Sequence, residues 1–396
     1  MPKLPVYMDN HATTRVDPRV VESMLPWFTE HYGNPGSVSH VFGWQARDAV
    51  DEARKSMAAA IGAKHREIVF TSGATESNNL AIRGVVERRR RKGNHLITVS
   101  TEHPAVLDPL ARLARGEYEV TQLHPAQDGA DDAGLIDPQQ IAEAIRDDTV
   151  LVTVMLANNE IGVIQSLAEI GEICHQRGVP LHTDATQAVG KIPVDVEDLN
   201  IDLLSFTAHK IYGPKGVGGL YVRRGGTGVR LTPLLEGGGQ EGGLRSGTLN
   251  VPGIIGFARA LELCFEDLEG EQRRMAELRQ RLYDGLRDSV SGCELNGPAL
   301  EQLALRLPGN LNMRFRGVDG EALLMSIQDL AVSSGSACTS ANPEPSHVLR
   351  AIGLSEDAIR SSLRFGLGRF NDMEEVDFAI GAVSEAVGRL RRLGSG

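Results

Sequence analysis

Between residues 60 and 222 the chain alternates short apolar runs with longer stretches whose apolar positions recur at helical spacing. IVFT at 68–71, HLITVS at 95–100, YEVTQL at 118–123, TVLVTVML at 149–156, PLHTDA at 180–185, DLLSFT at 202–207 and GGLYV at 218–222 read as strands. SGATESNNLAIRGVV, the stretch after Pro104, and residues near 138–146 and 167–177 read as helices between them. Seven such strands separated by amphipathic helices predict an α/β domain with a mostly parallel sheet flanked by helices. Ligands in such sheets bind beyond the carboxyl ends of the strands. Polar clusters fall at those ends: SGATE, TEH, NNE, DATQ and TAHK.

Nine glycines between Gly225 and Gly247 interrupt the alternation and read either as a linker or as an element with a task of its own. A helix-rich tail begins near Pro252. Charged helical sequence at 261–290, the strand-like LALRLPGNLNMRF, a helix after Val318 and a last helix at 372–393 predict a smaller α+β domain. The expected division is 15–258 for the large domain, with 1–14 and 259–396 forming the small one.

A length of 396 residues suits two or three domains, and the formal net charge of −11 argues against a sustained grip on nucleic acid or an anionic membrane. Small molecules and proteins are the expected partners. The run RRRRK, Arg88–Lys92, reads as a solvated helix end complementing the dipole. Four cysteines, at 174, 264, 293 and 338, form no C-x-x-C pair, which suggests neither a zinc site nor a disulfide framework. No metal is expected; a pairing of Cys338 with His347 lacks further ligands. MPKLPVYMDNHATT has no apolar h-region and no apolar run reaches bilayer length, so the expected location is the cytoplasm.

Candidate chemistry then concentrates at the strand ends. Lys210 follows DLLSFT and precedes a glycine-rich turn, while Asp184 ends PLHTD 26 residues earlier, so both reach one sheet edge. A lysine able to form a Schiff base, with an acid for a pyridinium nitrogen, is the pairing that pyridoxal 5'-phosphate requires. SGAT, opening a helix, offers backbone N–H groups, a dipole end and the Thr75 hydroxyl as a phosphate cradle, to which Thr207 and His209 add donors. His103, in TEHP, could stack on the ring and carry protons. Cys338 stands in SSGSACTS, Ser333 to Ser340, within a loop of about 333–345, among small polar residues typical of an exposed loop where a thiol can react.

Taken together, DNHATT, GNPGSVSH, TSGATESNN, TEHPAV, ANNEIG, HTDATQAVG, SFTAHKIYGPKGVG, RSGT, SSGSACTS, EPSHVLRA and RFGLGRF resemble the cysteine desulfurases. These enzymes depend on pyridoxal phosphate and share fold type I with class-V aminotransferases. The long SSGSACTS form resembles the group with an extended catalytic loop. The resemblance implies that Lys210 holds the cofactor and moves the substrate proton, and that Asp184 keeps the pyridine nitrogen protonated. It implies that Gln187 donates to the phenolic oxygen and that His103 is the stacking acid/base. Ala74, Thr75, Thr207 and His209 match phosphate-binding positions, with Thr207 in place of a more usual serine. Thr248, in RSGT, matches a residue that crosses a homodimer interface to the partner's phosphate. Arg364, Asn159 and Asn34 match positions that hold the substrate, Asn159 also lying against the cofactor, and a guanidinium fork suits a carboxylate.

On this reading the enzyme converts L-cysteine to L-alanine. Cys338 takes the sulfur as a persulfide and passes it on for iron–sulfur cluster assembly or tRNA and cofactor thiolation. An ordinary thiol is only a few per cent ionised at neutral pH, so deprotonation within the site, with His103 as one candidate, would help. Some relatives continue past the final helix into a segment that docks a scaffold, whereas this sequence ends at RRLGSG. The acceptor therefore stays open between a cluster scaffold, a thiolation relay and another thiol protein. His11, in DNHATT, stands where relatives often carry another polar residue. The alternatives are a selenocysteine lyase or another class-V aminotransferase-like enzyme, and, from a different class, a sulfur carrier without catalysis that kept the fold. Simple transamination has no use for the thiol of Cys338.

Overall fold

The computed structural model describes residues 2–225, 228–302, 304–334 and 345–394. The seven apolar runs form one sheet. Its strands are β1 (Ile68–Thr71), β2 (His95–Val99), β3 (Glu119–Leu123), β4 (Thr149–Thr153), β5 (Leu181–Asp184), β6 (Leu203–Thr207) and β7 (Gly218–Val222), in the order β1-β7-β6-β5-β4-β2-β3. Every neighbouring pair is parallel except those of β7, which runs antiparallel to β1 and to β6.

Strand periodicity sorts the side chains onto two faces. Leu96, Leu203 and Leu220 point into one core with Leu80 and Val85 of the helix Ala74–Arg89. Their neighbours Ile97, Leu204 and Tyr221 point into the other, with Met57 of the helix Val41–Ala59 and Phe257 of the helix Val251–Phe265. Burial on both faces explains the near-continuous apolar runs. The two histidines within them are paired: His95 bridges Thr149 and Thr121 at 2.8 Å each, and His182 bridges Thr153 at 2.8 Å and Ser205 at 3.1 Å. Each such bond left unmade would cost about 1–3 kcal/mol.

A second core gathers Leu311, Met313 and Phe315 from the strand Asn310–Phe315, and Leu363 and Phe365 from Ser362–Gly366. Leu278 and Leu282 of the helix Leu268–Ser289, Val376 and Val383 of the final helix Met373–Gly394, and Val6 and Met8 complete it. Its antiparallel sheet runs Ser333–Ser334, Ser362–Gly366, Asn310–Phe315, Cys293–Leu295. Among the described residues of LALRLPGNLNMRF only Asn310–Phe315 is strand, because Arg306 is buried and Pro308 and Gly309 interrupt the extension. The whole helix Val251–Phe265 packs with the first core, through Leu261, Leu263 and Cys264.

The glycine-rich segment is tied down rather than spanning freely. The Glu241 carboxylate accepts two bonds from Arg54 and one from the Phe70 backbone N–H, all at 2.7 Å, and Arg245 pairs with Glu76 at 2.8 Å. The basic run ends its helix with Arg88, Arg90, Arg91 and Lys92 exposed and Arg89 half-buried. No helix among the described residues is long and apolar enough to cross a membrane.

Candidate active site

The carboxyl ends of β1, β4, β5 and β6 open into one cavity of about 580 Å³. The helix Ala74–Arg89 starts at its wall. Gly73, at φ 156°, precedes the helix with no side chain capping its first turn, and a Cβ on Gly218 would sit 2.6 Å from the Gly73 Cα. Close approach of β7 to this turn thus demands glycine and leaves backbone donors aimed into the cavity. Ala74 and Thr75 line it, as do Thr207 and His209. The Thr207 hydroxyl already donates to the Val217 carbonyl at 3.0 Å, so its hydrogen is committed there. Burial, followed by the charges of Lys210 and Lys215, pushes the His209 pKa down to about 4, leaving a neutral ring whose Nδ1 lies 3.2 Å from Thr13 Oγ1.

Asp184, at the end of β5, is 4 % exposed. It accepts from Asn78 Nδ2 at 2.7 Å and from the Thr186 N–H at 3.0 Å. Lys210 Nζ donates to the carbonyls of His11 and Ala12 at 2.6 and 2.5 Å. The Gln187 amide donates to the His11 carbonyl at 2.9 Å. His103 caps the helix Pro104–Ala114 by accepting the Ala105 N–H on Nδ1 at 3.0 Å. Burial lowers its pKa, with the Asp184 charge opposing, so the neutral ring carries its proton on Nε2. As a base toward a thiol, the ring would have to give up that cap.

Glu102, next to His103, is fully buried. Its Oε1 accepts the Met155 N–H at 2.5 Å, and its Oε2 has no partner. Burial first, and the Asp184 charge second, raise its pKa well above the usual carboxylate range. Both effects favour the protonated carboxyl.

Asn159 lines the cavity, and its carbonyl accepts from Arg364 at 3.3 Å. Arg364, 1 % exposed, also pairs with Asp9 at 2.8 Å. Cys338 lies outside the described residues, but both flanks of its segment are at the site. Ser333 pairs across the sheet with Arg364. On the other side, Ser346 Oγ donates to Glu160 at 2.5 Å and His347 Nε2 lies 2.8 Å from the Glu102 carbonyl. Burial raises the pKa values of the other three thiols: Cys174 to about 12, Cys264 to about 11, and Cys293 less. That makes them poor nucleophiles. Asn34 and Thr248 are exposed and do not line the cavity.

The aminotransferase class-V family matches residues 6–378. The chain belongs to that family. "Cysteine desulfurase IscS" of Anaeromyxobacter dehalogenans is 55 % identical over 391 residues, covering 99 % of this chain and 94 % of that protein. The protein of the same name from Aeromonas hydrophila is 54 % identical, at 99 % and 95 % coverage. Among solved structures, a NifS-like protein superposes with a TM-score of 0.88 at 37 % identity, covering 97 % of this chain and all of that one. A structure described as SspA in complex with cysteine gives 0.79 at 39 % identity, with 91 % and 98 % covered.

The family's cofactor is pyridoxal 5'-phosphate, and the residues present fit it. An uncapped helix N-terminus suits a phosphate, the carboxyl of Asp184 suits a pyridinium, and an amine lies on the same cavity. Sequence reasoning passed over Asn78, which lies one helical turn beyond Ala74 on the same inward face, as i, i+4 spacing could have indicated. It also passed over Glu102, whose buried, half-partnered carboxyl no spacing rule marks.

Proposed function

We propose that this chain is a pyridoxal 5'-phosphate-dependent cysteine desulfurase that converts L-cysteine to L-alanine and passes the sulfur through Cys338 to an acceptor protein. The observation that carries the reading is the meeting of Lys210, Asp184 and the open helix end in one cavity, with both flanks of the Cys338 segment beside it. The bound cofactor supplies an electron sink that weakens bonds at the substrate's Cα and Cβ. Ala74, Thr75 and His209 hold its phosphate, Asp184 keeps the proton on its ring nitrogen, and Gln187 donates to its phenolic edge. His103 covers a face of the ring and presents Nε2–H. Arg364, with Asn159, grips the substrate carboxylate and fixes which bond at Cα is strained, while Asn34, exposed and away from its own cavity, takes no part in that grip within one copy.

Lys210 Nζ takes and returns the proton at Cα. Cys338 Sγ, having lost its proton, attacks the substrate sulfur, so that an S–S bond forms as the Cβ–S bond breaks; the electron pair released to the carbon skeleton takes up at Cβ the proton that the thiol gave up, and the skeleton leaves as L-alanine. The persulfide then serves cluster assembly or thiolation in the cytoplasm. Two copies complete each other's sites, with Thr248, exposed and away from its own cavity, reaching the partner's phosphate. The large domain spans 15–258, and the small one, 1–14 with 259–396, carries the nucleophile.

The test is release of L-alanine and sulfide from L-cysteine with a thiol reductant, comparing the native chain with Cys338→Ala. Equal yields of both products, lost in the variant while the cofactor stays bound, are expected. Keto-acid formation, or full activity without Cys338, would overturn the reading.

A further inference from the structure

Beside the cavity lies a half-buried lysine that the reaction above does not use. Lys191 Nζ donates to Gln187 Oε1 at 2.6 Å, and its own carbonyl accepts from Gln272 at 2.8 Å. Gln187 lines the cavity, its nitrogen donates to the His11 carbonyl, and its oxygen lies 3.1 Å from His11 Nδ1. The same His11 carbonyl receives Lys210 Nζ.

These contacts fix the roles of every atom. An ammonium has three donors and no acceptor, so the Gln187 atom facing Lys191 is the oxygen. The amide nitrogen then faces the His11 carbonyl and the cavity. With Oε1 accepting, His11 Nδ1 carries a hydrogen, and its Nε2 is left as a buried acceptor without a partner. Turning the amide over would set its N–H groups against an ammonium and its oxygen against a carbonyl, two repulsions in a site of low dielectric.

We propose that Lys191 is a positioning residue for the cofactor: acting through Gln187, with His11 completing the set of bonds, it fixes and polarises the amide whose N–H groups face the cavity. This rests on the cofactor reading given above. Burial, then the Lys210 charge, lowers the Lys191 pKa to about 7, with Arg364 acting in the same sense and Cys264 opposing. His11, neutral through burial and the charges of Lys191 and Arg364, adds none of its own. The grip on Gln187 is therefore strongest on the acid side of neutrality.

A donor at the cofactor's phenolic edge, backed by a positive charge, stabilises that edge as an anion and makes the nearby Lys210-linked nitrogen harder to protonate. Removing the ammonium should raise the pH midpoint of the bound cofactor's visible absorbance band. The experiment titrates that band across the neutral range in wild-type holoenzyme, Lys191→Met and Gln187→Ala, and in the double variant. Lys191→Leu stands in should Lys191→Met not fold. The single variant is expected to move the midpoint up by about one unit, and the same substitution in the Gln187→Ala background by less than half as much. An unmoved midpoint, or an equal shift in both backgrounds, would overturn the proposal while leaving the functional reading intact. Wild-type protein that takes up pyridoxal phosphate without any visible band would overturn that reading, and the proposal with it.

Discussion

Replacing Glu102 by Gln should stabilise the protein increasingly as pH rises. In the folded state burial and the Asp184 charge keep this carboxyl protonated above its ordinary range, whereas in the unfolded chain it ionises near its model value of 4.5. Above that value the unfolded state therefore binds fewer protons than the native state, and stability falls with pH until the folded carboxyl itself titrates. The slope for one such group is about 1.4 kcal/mol per pH unit. Glutamine carries no proton and contributes no slope. Its carbonyl retains the bond from the Met155 N–H, while its NH2 group replaces an oxygen that has no partner, a fixed cost of about 1–2 kcal/mol.

The two contributions oppose each other, so the variant starts level with or below the wild type in acid and gains on it thereafter. Between pH 5.5 and pH 7.5 the difference in unfolding free energy should move in the variant's favour by up to about 1.4 kcal/mol per pH unit, for as long as the folded carboxyl stays protonated. Denaturant unfolding of the holoenzyme at several pH values reads this directly, and the pH at which the gain levels off reports where the folded carboxyl titrates. A difference that stays flat over the interval would mean that Glu102 is ionised in the folded protein, and the upward shift argued from its burial would fail.

Other substitutions test other parts of the site. Arg364→Ala should lower kcat/KM for L-cysteine by about 30-fold to about 1,000-fold, the worth of about 2–4 kcal/mol of charge-assisted hydrogen bonds, and Arg364→Lys should recover only part of it, since an ammonium lacks the fork. A change under threefold would remove Arg364 from the substrate. Glu241→Ala strips the partners from Arg54 and from the Phe70 N–H, both at 2.7 Å, and should cost about 3 kcal/mol of stability in denaturant unfolding, with Glu241→Gln losing less. An unchanged transition would show that the glycine-rich segment is not anchored there.

The sheet was legible because burial on both faces leaves a strand little choice. Leu203, Leu204 and Phe206 must all be apolar to fill two cores, and the run announces itself wherever such a strand occurs. The strand ends were legible for a related reason: polar residues that close an apolar run, such as Asp184 and Lys210, have few places to go other than the edge where ligands bind. The small domain was harder. LALRLPGNLNMRF alternates like a long strand, yet Arg306 is drawn inward to the Asn296 carbonyl and the extension begins only at Asn310, a pairing 10 residues away that local periodicity does not report.

What stayed illegible is the state of the groups rather than their place. His11, Gln187, Lys191 and Lys210 come from three separate stretches, and each sequence neighbourhood is compatible with several protonation states and amide orientations. Only their meeting removes the choices: an ammonium that can only donate fixes an oxygen, the oxygen fixes a tautomer, and one carbonyl then serves both Gln187 and Lys210. Glu102 and Asp184 divide in the same manner. Two carboxyls end or follow strands that flank β4, but Asp184 receives an amide and a backbone N–H while Glu102 receives a single N–H and is driven toward its protonated form by burial. The motif brings acids to the strand ends; the donors around each carboxyl, which no local pattern reports, set how each one titrates.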